Sequence, residues 1–258
     1  MRASLSNGSW PGPSGRVLFV QHQEDCPPGH VGDRIAQRGA QVEVVRADTS
    51  PELPDPASYD LVVSLGSYES AHDDSVPYVG PESEFLAAAM EAGVGIFGIC
   101  FGAQLLSRVL DGEVGRSPTG PEVGWLTVDT DLPHRDTDTT TSSAAALVAP
   151  GPWLVWHSDV MNTPPGGVEL ARTSVSTQAF AYGAHVGVQF HPEAKYSSVQ
   201  SWARTYDQTF REIGMEGADL LAETQRCAAE ARHRGYVLTD RVVDRVAALS
   251  MRPRRLSP

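Results

Sequence analysis

Residues 94–110 read VGIFGICFGAQLLSRVL, and this stretch decides how the rest of the chain is understood. VGIFGI is a short apolar run of strand type. GAQLLSRVL is a run of helix formers that ends at Asp111-Gly112. Cys100 stands where the one gives way to the other, with Gly98 and Gly102 on either side. A strand that passes at once into a helix turns too sharply for side chains at the flanks of the bend, and the two glycines supply that room. Such a turn lifts the sulfur above the sheet and sets it at a helix N-terminus, which favours an anion. The backbone N–H of Phe101 then points toward the place where an oxyanion would form. A cysteine at the end of an apolar strand is ordinarily a small buried hydrophobe. The flanking glycines and the strand-to-helix junction favour a nucleophile instead.

Upstream, RVLFV (16–20), QVEVV (41–45) and LVVSL (61–65) are further strand-like runs. A helix to about Gly39 separates the first two. A polar loop from Ser67 to about Pro81 and a helix EFLAAAMEAG (84–93), closed by Gly93, precede the fourth. Strands alternating with helices predict a mostly parallel α/β sheet with right-handed crossovers. Apolar strands without strict alternation predict a sheet covered on both faces. Sites in such folds lie at the carboxyl ends of the strands, where Gly66 and Cys100 fall.

Downstream the character changes. GWLTVDT, WLVWH, VELART, QAFAYG and HVGVQF are short strands with turns between them, read as β-hairpins added to one end of the sheet. HRDTDTTTSSAAA (134–146) reads as a mobile connection. After Pro192 the chain turns helical. Val199, Trp202, Tyr206, Phe210 and Ile213 recur at helical spacing. A second helix is expected over 218–232 with Gly235 as its stop, and a third over 239–250 with Thr239 as N-cap. The expected organisation is a flexible arm at 1–15, one α/β domain at 16–195, and a helical extension at 196–258 packed on it.

HVGVQF ends in His191-Pro192-Glu193. A histidine at a strand end with an acid two residues on can pair with it, and the carboxylate then orients the ring and stabilises its charge. With Cys100 this makes a nucleophile–base–acid triad. The order Cys, His, Glu differs from the nucleophile, acid, His order of α/β-hydrolases. His157 ranks second as the base, and His22, His30 and His72 lie in loops near strand ends.

The chain has 258 residues, a hydrophobic share of 41% and a formal net charge of −12. An acidic surface repels phosphate backbones and anionic lipid, so no nucleic-acid or membrane partner is expected. The one basic cluster, Arg252-Pro253-Arg254-Arg255, reads as a solvated tail. Cys26, Cys100 and Cys227 are few, odd in number and far apart, so neither a disulfide framework nor a metal site is expected. That fits a cytoplasmic setting. The first fifteen residues lack the apolar run of a signal peptide, and no cofactor motif is present.

GICFGAQLL, VWHSD and VQFHPEA, in this order, resemble the class I (triad) glutamine amidotransferase family, and the resemblance runs from about Arg16 to about Ala248. Within it the chain is similar to stand-alone members related to the glutaminase domain of GMP synthase. The resemblance implies a flavodoxin-like three-layer sandwich. It implies that Cys100 attacks the side-chain carbonyl of glutamine, that His191 shuttles the proton, and that Glu193 orients His191. It places Gln104 and Gly66 at the substrate. It assigns the backbone of Ser158 and Asp159 to the substrate's α-amino and α-carboxylate groups. Where the family carries Gly-Gly-Pro, this chain has Gly66-Ser67-Tyr68, so the second oxyanion donor, beside Phe101, would be the Ser67 backbone N–H.

Several functions share these residues. One is a glutaminase feeding ammonia to a synthase in trans. A second is a self-contained γ-glutamyl peptidase, toward which the string GSYESAHDD points by its likeness to plant γ-glutamyl peptidases. A third is a catalytically silent binding protein that keeps the fold. A hydratase or chaperone of the wider cysteine-elbow superfamily would lack the His-Pro-Glu string.

Overall fold

The computed structural model describes residues 9–50, 52–132 and 146–250. The first half builds β1 (Arg16–Gln21), α1 (Gly29–Gln37), β2 (Gln41–Arg46), β3 (Leu61–Ser64), α2 (Val79–Glu91), β4 (Gly95–Ile99) and α3 (Phe101–Val109). Then come β5 (Val114–Arg116), β6 (Glu122–Val128), β7 (Gly151–His157), β8 (Asp159–Met161), β9 (Val168–Arg172), β10 (Thr177–Tyr182) and β11 (His185–Val188). The chain ends in α4 (Tyr196–Thr205), α5 (Asp207–Ile213) and α6 (Gly217–Ser250).

Seven strands form the main sheet in the order β2-β1-β3-β4-β11-β10-β9. β2, β1, β3, β4 and β11 run parallel, and β10 is antiparallel to both of its neighbours. The central strands bury both faces, which is why their sequences are apolar without alternation. Val17, Phe19, Val63 and Phe97 pack with Val31 and Ile35 of α1 and with Leu238, Val242, Val243 and Val246 of α6. On the other face Leu18, Val20, Val62 and Ile96 pack with Phe85 and Leu86 of α2 and Ala103 and Leu106 of α3. The result is the expected three-layer sandwich.

Only part of the expected hairpin addition sits at the end of this sheet. β9, β10 and β11 extend it beyond β4, whereas β6 pairs with β7 and β5 with β8 as separate two-stranded ribbons. β5 and β8, three residues each, carry too short a pattern to be read as strands beforehand. α2 begins at Val79, five residues before the expected start, because Val79 and Glu82 are both buried and extend the helix into what reads as polar loop.

The C-terminal helices also differ from expectation. α6 runs unbroken through Gly235, and Thr239 is no N-cap: its hydroxyl donates back to the Gly235 carbonyl oxygen at 2.7 Å. A Cβ at position 235 would lie 2.6 Å from the Pro192 carbonyl oxygen, so the glycine is a close-approach residue and not a stop. α6 is tied to α1 by Arg34, which grips both Asp240 carboxylate oxygens at 2.8 Å. Arg38 adds contacts to Asp240 and Asp244.

The last residues of the expected N-terminal arm are fastened to the fold. The Trp10 indole N–H and the backbone N–H groups of Ser14 and Gly15 all donate to the Asp60 carboxylate. The Thr- and Ser-rich connection lies almost wholly outside the described residues, as does the basic tail. Among the described residues no helix is long and apolar enough to cross a membrane.

Candidate active site

The chain turns from β4 into α3 at Cys100 with φ 52° and ψ −109°, a conformation that costs a side-chain-bearing residue energy and persists only where its surroundings enforce it. They do so closely. The Cys100 N–H donates to the Val188 carbonyl oxygen at 2.8 Å, and the Gly102 N–H to that of Leu65 at 3.1 Å. A Cβ at Gly98 would lie 2.5 Å from the Gly102 carbonyl oxygen, and one at Gly102 would collide with the Ser64 carbonyl. The two glycines are thus required on opposite sides of the bend.

β11 lies beside β4, so its exit brings His191 to the same end of the sheet. The His191 N–H donates to the Leu154 carbonyl oxygen at 2.8 Å, and the ring leans on Trp202, 4.9 Å between centroids. Its Nδ1 lies 2.7 Å from Glu193 Oε1. Its Nε2 lies 3.3 Å from the Trp156 carbonyl oxygen, which also accepts the Cys100 thiol at 3.7 Å, so ring and sulfur meet at one carbonyl. Burial by itself would lower the His191 pKa. The Glu193 carboxylate and the Cys100 sulfur outweigh it and hold the ring well above its ordinary value of 6.5. Glu193 is fixed in turn, because its carbonyl oxygen accepts the His30 N–H at 2.8 Å.

Gly66 does not line the cleft over the sulfur. It packs between the triad members: a Cβ there would lie 3.3 Å from His191 Cε1 and 3.8 Å from Cys100 Cβ. Ser67 does line the cleft, and its hydroxyl pairs with the Tyr78 hydroxyl at 2.7 Å. Phe101 is buried with its ring beside His22 and Tyr78.

The cleft holds about 520 Å³ and reaches from Cys100 past Gln104, Ser158 and Asp159 to Arg116. The Gln104 amide nitrogen donates to the Asp159 carbonyl oxygen at 3.0 Å and to Gln189 at 3.1 Å, which leaves its oxygen to accept from a ligand. The Asp159 carboxylate meets Ser70, His72 and Arg116. Tyr206, Gln208, Thr209 and Glu212 close the far side of the cleft. The sequence does not show this role: Tyr206 reads as part of a helical face packed on the domain, and nothing in α5 marks it as cleft wall.

Three of the competing histidines face acids other than Glu193. His157 Nε2 faces Glu122 at 3.3 Å and Gln178 at 3.2 Å. His22 pairs with Glu82, and His72 with Asp159. Cys26 opens on a small compartment shared with Cys100, and burial, with Asp25 and Glu193 adding, pushes its thiol strongly up. Among the described residues no group of three or more His, Cys, Asp or Glu is placed to hold a metal ion.

A family model described as glutamine amidotransferase class-I matches residues 30–202. GMP synthase [glutamine-hydrolyzing] of Aeropyrum pernix is 33% identical over 179 residues, which cover 65% of this chain and 31% of that protein. The enzyme of that name from a Synechococcus strain is 31% identical over 173 residues, 65% of this chain and 29% of its own. The chain therefore matches under a third of the length of these relatives. Among solved structures, a glutamine amidotransferase of Thermotoga maritima superposes with a TM-score of 0.77 at 24% identity, covering 89% of this chain and 98% of its own. One from Methylobacillus flagellatus gives 0.78 at 23% identity, covering 89% and 94%.

Proposed function

The chain belongs to the class-I glutamine amidotransferase family, and from that premise we propose that it hydrolyses the γ-amide of glutamine through a thioester on Cys100. The observation that carries this reading is the convergence of the Cys100 side chain, the His191 ring and the Glu193 carboxylate at one strand-end bend, with thiol and ring sharing the Trp156 carbonyl. The Cys100 thiol gives its proton to His191 Nε2, and the resulting thiolate, paired with the charged ring, attacks the amide carbon. The carbonyl electrons move onto oxygen, where the N–H groups of Phe101 and Ser67 receive the charge. His191 returns the proton to nitrogen, the C–N bond breaks, and ammonia leaves. Water then attacks the thioester. Its proton passes through His191 to the sulfur, and glutamate departs. Glu193 keeps Nδ1 protonated and the ring turned toward the sulfur. Gln104 and the backbone at Ser158 and Asp159 hold the amino-acid end of the substrate. Ammonia would pass to a synthase in trans, a reading supported by the likeness to one part of GMP synthase.

A second reading is a self-contained γ-glutamyl hydrolase. It is favoured by the size of the cleft and by its far wall, which α5 of this same chain supplies. The test reads ammonia and glutamate side by side, with glutamine and a set of γ-glutamyl dipeptides as substrates. Preference for glutamine supports the first reading, and preference for dipeptides the second. Cys100→Ala should abolish either activity while leaving the fold intact. Turnover that survives it, or a wild-type protein inert toward every γ-glutamyl compound, defeats both.

A further inference from the structure

His22 and Glu82 have no part in the chemistry above, yet both side chains are 0% exposed. His22 follows β1, and Glu82 lies in the first turn of α2. Glu82 Oε2 is 2.6 Å from His22 Nε2, and Glu82 Oε1 accepts the Ser64 hydroxyl at 2.6 Å. The other ring nitrogen, Nδ1, is 3.2 Å from the Gly66 carbonyl oxygen. A carbonyl can only accept, so Nδ1 carries a hydrogen and donates it. The proton shared with Glu82 lies between Nε2 and Oε2, and that contact stops the imidazole from turning over. Phe101 and Tyr78, with ring centroids 4.6 and 5.1 Å from that of His22, hold its plane.

Net stability is a weak reason for this arrangement. Taking an imidazole–carboxylate pair out of water costs several kcal/mol before its partners compensate, and apolar residues of like volume often serve as well. Its geometry does account for it. The Gly66 C=O and the Ser67 N–H belong to one planar trans peptide, so they point in opposite directions. Glycine at 66 leaves that peptide unusually free to rotate. Fixing the oxygen therefore aims the N–H. The loop is held at two further points: the Ser67 hydroxyl by Tyr78, and the Tyr68 N–H by Gln23 Oε1 at 2.8 Å.

We infer that His22, held by Glu82 and Ser64, is a positioning residue that aims the Ser67 backbone N–H at the oxyanion formed on the Cys100 adduct. This rests on the thioester reading, since without a tetrahedral intermediate there is nothing to aim at.

Two variants separate the effect from a structural one. His22→Leu removes the donor, whereas His22→Asn puts an amide nitrogen near the place of Nδ1. Losing an oxyanion donor costs about a hundredfold or more in kcat. His22→Leu should accordingly lose about a hundredfold in kcat with KM for glutamine nearly unchanged, and His22→Asn should recover most of it. The aldehyde analogue of glutamine forms a thiohemiacetal whose oxygen occupies the oxyanion position, so its inhibition constant should rise in step with the loss of kcat. Alkylation by iodoacetamide needs no such donor, and its rate on Cys100 should hold steady. Wild-type kcat in His22→Leu would overturn the inference. So would a joint fall of kcat, alkylation rate and melting temperature in both variants. A wild-type protein that neither turns over a γ-glutamyl compound nor binds the aldehyde would bring down the thioester reading itself, an outcome visible before any variant is made.

Discussion

At the scale of single residues, the charge on His191 is the most exposed consequence of the geometry. Both ring nitrogens face acceptors, Glu193 on one side and the Trp156 carbonyl on the other, and the negative charge of Glu193 and of Cys100 favours the charged ring. The folded ring therefore holds its proton above 6.5, where an unfolded histidine has lost it. The folded state binds the extra proton in that window, so the stability this provides is complete below pH 6.5 and is lost as pH rises through the folded value. An NMR titration of the His191 ring should show a midpoint above 6.5 that falls in Glu193→Gln, and a midpoint at or below 6.5 in the native protein would contradict the pairing. Cys100, His191 and Glu193 were legible in the sequence because each sits in a local string: a glycine-flanked junction, and a histidine with an acid two residues on. His22 and Glu82 were not. They stand 60 residues apart and meet only because α2 packs over the paired strands β1 and β3, which no short window of sequence records.

At the scale of elements, the parallel core was readable and the C-terminal helix was misread at Gly235. Apolar runs without alternation announce strands buried on both faces, and that reasoning placed β1, β3 and β4 within a residue or two. A glycine within helical periodicity carries two meanings, a stop or a close approach, and only the neighbour at Pro192 decides between them. The choice can be tested. Alanine in place of an ordinary mid-helix glycine stabilises by about 1 kcal/mol. At 235 the added methyl would press on the Pro192 carbonyl, between His191 and Glu193, and overpacking of this kind costs about 1–3 kcal/mol. Gly235→Ala should therefore lower the melting temperature and reduce kcat together. A rise in melting temperature with unchanged activity would show that the helix has room to move.

On the scale of the whole molecule, α6 reads as an appendage in sequence but behaves as part of the core. Leu238, Val242, Val243 and Val246 cover the same sheet face as Val31 and Ile35 of α1. Asp240 sits between Arg34 of α1 and Arg38 just beyond its end, and its removal would take a buried carboxylate from both guanidinium groups. The hydrophobic term scales with the apolar area kept from water, and buried ion pairs broken on one side cost about 3–5 kcal/mol. Against a total stability of about 5–15 kcal/mol for a native protein, losing both contributions leaves little for the remaining layers. A chain ending at Gly214 should consequently lose its single cooperative thermal transition, bind a dye that reports exposed apolar surface, and have no glutaminase activity. The alternative, a self-sufficient α/β domain with a dispensable helical cover, predicts a truncated chain that still melts cooperatively with native-like circular dichroism. Scanning calorimetry of the two chains distinguishes these outcomes. The strands, which the shorter chain retains entire, cannot bury the α6 face of the sheet alone, and that argues for the first.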